Sequence, residues 1–214
     1  MSAPRVVLYR FAEVRAALRC ADLAVPGVTV PHDPSHHAVR HSVREQASAA
    51  SLLELRDPFA TQLCLLLEAP RTNLPWCFVA NVAVPWAYAV TGQLMRLSPA
   101  CVHDGAALAA NVFESAAHSE NGDSTPEALA AANRDPVRFT NPDTLQLAAG
   151  RAGHLSFGAG AHHCSGTPIV QALLECLLEA LVTSPVTLAP AGPVSWLDGV
   201  ALATPTRLPV TASR

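Results

Sequence analysis

From Thr72 to Met95 the chain reads TNLPWCFVANVAVPWAYAVTGQLM, without one charged side chain. So long an uncharged run has to leave water, either in a bilayer or inside protein. Its prolines and asparagines decide between the two. Pro75 and Pro85 interrupt backbone hydrogen bonding, and Asn73 and Asn81 carry amides that hydrocarbon cannot satisfy. The run is therefore expected as a core helix broken by proline and not as a membrane span, with a buried interface as a further use of it.

The rest of the composition suits a chain able to bury such a segment. At 214 residues, half of them hydrophobic and 14% charged, it is long enough for one domain with a proper core. Plentiful Ala and Leu with few aromatics point to a mainly α fold with a small β component. A net charge of −3, with no Lys or Arg run longer than two residues, lacks the electrostatic footprint that nucleic acid requires. Arginines interrupt the apolar N-terminal stretch that a secretion signal would need, so a reducing cytoplasm is the expected compartment. The six cysteines are widely and irregularly spaced with no Cys-x-x-Cys pair, and most are expected as small buried hydrophobes.

Helical spacing marks FAEVRAALRCADLAV, and a proline-rich link leads to a second helical pattern, SHHAVRHSVREQASAASLLELR. His36, Arg40 and Arg44 recur every four residues there and share one face. A short helix with a turn cluster follows over DGAALAANVFESAAHSENGDSTPEAL. AANRDPVRFTNPDTLQLAAGRAGHLSFG is dense in turn formers and reads as ordered coil. TPIVQALLECLLEALVTSP is a clear helix ended at Ser184-Pro185, and the tail suggests a small β hairpin.

The stretch FGAGAHHCSG, residues 157–166, puts Cys164 in a glycine-bracketed loop after two histidines. Four chemistries compete for it: a buried structural thiol, a zinc ligand, a nucleophile paired with histidine, or an axial ligand of heme iron. Adjacent His162, His163 and Cys164 cannot close a zinc tetrahedron without other ligands. A thiolate on heme needs a loop of small residues and the positive end of a following helix to steady the anion. Gly158, Gly160 and Gly166 are suited to positive φ and close approach, and Phe157 to covering the sulfur.

This stretch resembles the heme-binding loop of the cytochrome P450 superfamily, Phe-x-x-Gly-x-His/Arg-x-Cys-x-Gly, at Phe157, Gly160, His162, Cys164 and Gly166. AANRDPVRFTNPD followed by HLSFG is similar to the coil that precedes the loop in bacterial members, and DPSHHAVRHSV to their propionate-gripping helix. The resemblance implies a truncated P450-like fold of one heme-binding domain over 1–214, with the cysteine loop at 154–166 and heme b as cofactor. It implies Cys164 as iron ligand, His36, Arg40, His154 and His162 as propionate partners, and Phe157, Gly158, Gly160 and Gly166 as loop residues. At about half the usual family length, the chain is expected to lack the middle of the fold.

Departures from the family pattern shape the expected reaction. Gln93-Leu94-Met95-Arg96 stands where the family has Glu-x-x-Arg, and Ala106 or Ala107 where a propionate arginine is expected. The distal acid-alcohol pair has only Arg71 and Thr72 as candidates, beside Pro70 and Pro75. The helix after the cysteine carries Glu175 and Glu179 but no arginine for an acidic ferredoxin, which makes that partner doubtful. Together these imply reductase-independent chemistry on a small apolar metabolite, either peroxide-driven oxidation or redox-neutral rearrangement, dehydration or cyclisation. A reduced-size monooxygenase and a non-catalytic helper are the alternatives. The missing helices also imply a homodimer in which the uncharged segment replaces the lost cover.

Overall fold

A computed structural model describes residues 8–20, 34–68, 74–105, 125–144, 153–197 and 204–213. Its packing gathers into two compact units. The first comprises Met1–Ser42 with Glu120–Ser165, the second Val43–Ser119 with Gly166–Arg214.

Unit 1 holds α1 (Phe11–Arg19), the start of α2 (Pro34–Gln46), α6 (Thr125–Ala132) and the cysteine loop with its 3-10 turn, Gly160–His162. Its apolar cluster is small. Phe11 and Val14 from α1 meet Ala132 and Leu155, with Phe139 set edge-on to Phe11 at 5.5 Å. The coil begins later than its composition suggests, because Thr125–Ala132 is helical and only the residues from Asn133 onward turn irregularly.

Unit 2 is a helical core with a small sheet. The helical pattern expected from Ser35 through Arg56 divides into α2 and α3 (Ala49–Glu68) at Ser48, whose hydroxyl accepts the Ser51 N–H at 3.3 Å as an N-cap. Leu52, Phe59, Leu63 and Leu67 form the buried stripe of α3 and meet Cys176 and Ala180 of α7 (Thr167–Thr183). α5 is described over residues 99–105.

The described part of the uncharged run, from Leu74 onward, folds into this core. Trp76–Cys77 form β1, Val79–Ala83 a π-helical turn, and Val84–Met95 helix α4. Pro85 was expected to interrupt it and does not. The Val84 N–H reaches five residues back to the Val79 carbonyl, so the ladder changes register just where proline removes a donor. Val82, Trp86, Val90 and Leu94 are buried, and the Trp86 indole N–H donates to the Phe59 carbonyl at 2.9 Å.

The tail makes the expected hairpin in two nested pieces. β2 (Thr187–Pro190) runs antiparallel to β5 (Pro209–Ser213), and β3 (Ser195–Trp196) to β4 (Pro205–Arg207). β1 pairs along the other edge of β5, placing Trp76 opposite Val210. Among the described residues no helix is long and apolar enough to cross a membrane. The cysteines depart from expectation. None of the six is in a disulfide, and only Cys176 is fully buried, while Cys20, Cys101 and Cys164 are exposed.

Candidate functional site

The cysteine loop is shaped by main-chain bonds that its glycines permit. Gly158, at φ +71°, returns its N–H to the Leu155 carbonyl at 2.8 Å. Gly160, at φ +73°, opens the 3-10 turn that His163 closes by donating to the Gly160 carbonyl at 3.2 Å. The Cys164 N–H then donates to the Phe157 carbonyl at 2.8 Å, pinning the two ends of the turn together and leaving Cys164 at the surface. Gly166 departs from the expected left-handed backbone. At φ −80° it is the N-cap residue of α7, a position glycine shares with ordinary residues.

Gly160 is needed for a neighbour inside the protein. A Cβ there would stand 2.6 Å from the Leu18 carbonyl oxygen and 2.9 Å from the Arg19 Cα, so the loop lies backbone to backbone against the last turn of α1.

The other predicted residues divide. Arg40 reaches from α2 and donates to the His163 carbonyl, which brings one member of the basic stripe onto the loop. His36, one turn earlier, is 8% exposed with its ring 5.7 Å from that of His37, and Arg44 is exposed. His154 is exposed, accepts the Ser156 N–H on Nδ1 at 3.2 Å, and sets its ring 5.5 Å from Phe157. The side chain of His162, together with Arg71, Thr72, Ala106 and Ala107, lies outside the described residues. Gln93 and Arg96 are described. Arg96 caps α4 in the left-handed region at φ +52° and is exposed, as is Gln93, so at this end of α4 neither residue is packed inside.

Sequence reasoning missed the residues that hold this unit together, because they lie in the stretch read only as coil. Asp135 is buried at 6% exposure. Its carboxylate accepts from the Phe11 N–H at 2.9 Å, the Val137 N–H at 3.0 Å and the Arg10 guanidinium at 3.1 Å. It thus caps the first turn of α1, and these donors, led by the Phe11 amide, hold its pKa below the usual carboxylate range. Asn133 accepts the Leu155 N–H at 2.7 Å and donates to the Ser156 hydroxyl at 3.1 Å. Arg134 pairs with Asp143 at 3.0 Å. The only advance signal was the Asn-Arg-Asp-Pro cluster itself, polar residues that side-chain-to-backbone turns favour.

A hollow of about 630 Å³ opens beside the loop, lined by Arg15, Arg19 and Arg138 together with His154, Gly160 and His163. Arg138 lies over the rings of Phe11 and Phe139 at 5.4 and 5.5 Å. Among the described residues no three His, Cys, Asp or Glu side chains gather into a metal cage.

No family model matches the chain. Nocardicin C N-oxygenase of Nocardia uniformis subsp. tsuyamanensis is 33% identical over 162 residues, which are 72% of this chain and 39% of that protein. Cytochrome P450 105C1 of a Streptomyces species is 44% identical over 54 residues, 25% of this chain and 14% of its own length. The chain thus spans less than half the length of these curated relatives. In the solved structure of the tirandamycin C-bound P450 monooxygenase TamI, 16% identical, the same fold aligns over 96% of this chain and 88% of that one with a TM-score of 0.72. In its loop geometry, its mainly helical fold and these relatives, the chain is similar to the cytochrome P450s and shares their fold.

Proposed function

We propose that Cys164 binds heme iron as its thiolate and that the chain is a tailoring enzyme acting on a small apolar metabolite. The family implies the heme, and the donor set fits it. A surface thiol stands in a loop closed by its own amide, and an arginine and a histidine of the same unit offer donors to carboxylates. Arg40 has guanidinium N–H groups beyond the one given to His163, and with His154 and His36 it would take the propionates. Phe157 would shield the sulfur. Bound there, the heme would supply oxidative or isomerising chemistry at the iron, while the protein supplies ligation, orientation and a pocket. Residues 1–214 act as one heme-binding domain in this reading.

The observation that carries the reading is the Cys164 turn, closed from Phe157 with glycines at φ +71° and +73°. An absorption spectrum of the reduced, carbon-monoxide-treated protein tests it. A band at about 450 nm that vanishes in Cys164→Ala is expected from thiolate ligation. A wild-type protein that takes up no heme would sink the enzyme reading and leave the helper.

Reductase-independent chemistry is favoured by α7, which carries exposed Glu175 and Glu179 and no basic residue. A second reading, oxygenation fed by an acidic electron donor, is favoured by the hollow with Arg15, Arg19 and Arg138 beside the loop. The relatives' names, an N-oxygenase and a monooxygenase, lean the same way. Turnover with peroxide against turnover with a ferredoxin system separates the two.

Homodimerisation belongs to the same proposal. Val170, Leu174, Leu178 and Val182 of α7 are all exposed at four-residue spacing, an apolar stripe that a second copy of the helix would cover. A cytoplasmic setting agrees with six cysteines outside disulfides.

A further inference from the structure

We propose that Asn133 is a positioning residue for the cysteine loop, fixing where Cys164 is delivered. It sits one residue past the end of α6, where its own N–H is held by the Leu129 carbonyl at 3.0 Å. Both ends of its side-chain amide are spent on the loop, 22 and 23 residues further along the chain. Oδ1 accepts the Leu155 N–H at 2.7 Å and Nδ2 donates to the Ser156 hydroxyl at 3.1 Å. A backbone N–H can only donate, so the amide has one orientation that satisfies both partners.

The effect reaches the cysteine through the main chain. Leu155 is 4% exposed and packs with Ala132, the neighbour of Asn133, so apolar contact and amide grip the same residue. From there the Leu155 carbonyl holds the Gly158 N–H, and the Phe157 carbonyl, adjoining the clamped Ser156, holds the Cys164 N–H, each at 2.8 Å. An asparagine serving only as a local turn former would bond two or three residues away. This one reaches across to the site, and its loss frees the loop's entry where no other described side chain grips the Leu155 amide.

The proposal rests on Cys164 as the heme ligand, and two readouts separate it from that reading. In the full-length chain, Asn133→Ala should lose most of the carbon-monoxide band of the thiolate-ligated wild type. In heme-free protein it should raise the site-resolved alkylation rate of Cys164 by iodoacetamide severalfold. Asn133→Asp should rescue both, since a carboxylate can accept from the Leu155 amide and the Ser156 hydroxyl alike. Arg134→Ala, which removes only the neighbouring ion pair with Asp143, should leave both at wild-type values. Asn133→Ala with an unchanged band and an unchanged alkylation rate overturns the proposal, as does an equal loss in Arg134→Ala. Should Asn133→Ala not accumulate as folded protein, Ser156→Ala removes one of the two bonds: partial loss supports the proposal and full retention overturns it. A wild type without the band refutes the heme reading alone, and the alkylation rates then decide the positioning.

Discussion

The two units hold themselves together by different means. Unit 2 is an apolar core in which Phe59, Leu63, Val82 and Val90 are 2% exposed or less. Unit 1 has, among the described residues, a cluster of four buried apolar residues and relies on polar clamps, with Asp135 on α1, Asn133 on the loop's entry and Arg40 on its far side. Apolar packing tolerates small shifts because it has no direction, whereas a hydrogen bond fixes a position to within a few tenths of an ångström. The unit bearing Cys164 is the one built from directional contacts, and the other is built from bulk.

The contrast can be broken experimentally. The largest effect is expected in the apolar unit: Leu63→Ala, at a fully buried position, should cost about 2–5 kcal/mol, read as a fall in the chemical-denaturation midpoint. Next comes Gly160→Ala in the polar unit. The left-handed backbone alone costs about 1–2 kcal/mol, and the overlap with Leu18 and Arg19 adds to it. Circular dichroism melts should fall less than for Leu63→Ala, while Cys164 alkylation changes more. The smallest effect is in acid. Asp135 titrates lower in the folded chain than in the unfolded one, so its contribution is complete above the usual carboxylate range and is lost as pH falls through its depressed pKa. Protection of the Phe11 amide, taken relative to its intrinsic exchange rate, should therefore fall below about pH 4 while amides near Leu63 stay protected. If both regions loosened together in acid, the division into two kinds of construction would be wrong.

What could be read from residues alone follows the same division. Elements with an apolar period were legible: the long helix after the cysteine and the alternating tail fall where the pattern places them, and α1 starts at the expected Phe11 but closes at Arg19, short of the expected Val25. The cysteine loop was legible as well, because a thiol amid glycines is a chemical signature that needs no partner to be noticed. The clamps were not. Asp135 and Phe11 are 124 residues apart, and nothing periodic announces a carboxylate that will cap a distant helix. Two misreadings have local causes: Ser48 divides one expected helix by capping the next, and the π turn at Val79–Ala83 lets a helix pass Pro85. Gly166 was given a conformation it does not adopt because a glycine preceding a helix looks the same whether it turns left or simply caps.

Where Gly160 meets the last turn of α1, the contact is main chain against main chain. On one side stand the Leu18 carbonyl and the Arg19 Cα, which any amino acid provides; on the other stands Gly160, which nothing larger can replace without a shift. Over generations of drift the joint is thus one-sided. At that point a substitution at position 19 keeps its Cα in place, whereas any side chain at position 160 must push the facing backbone aside.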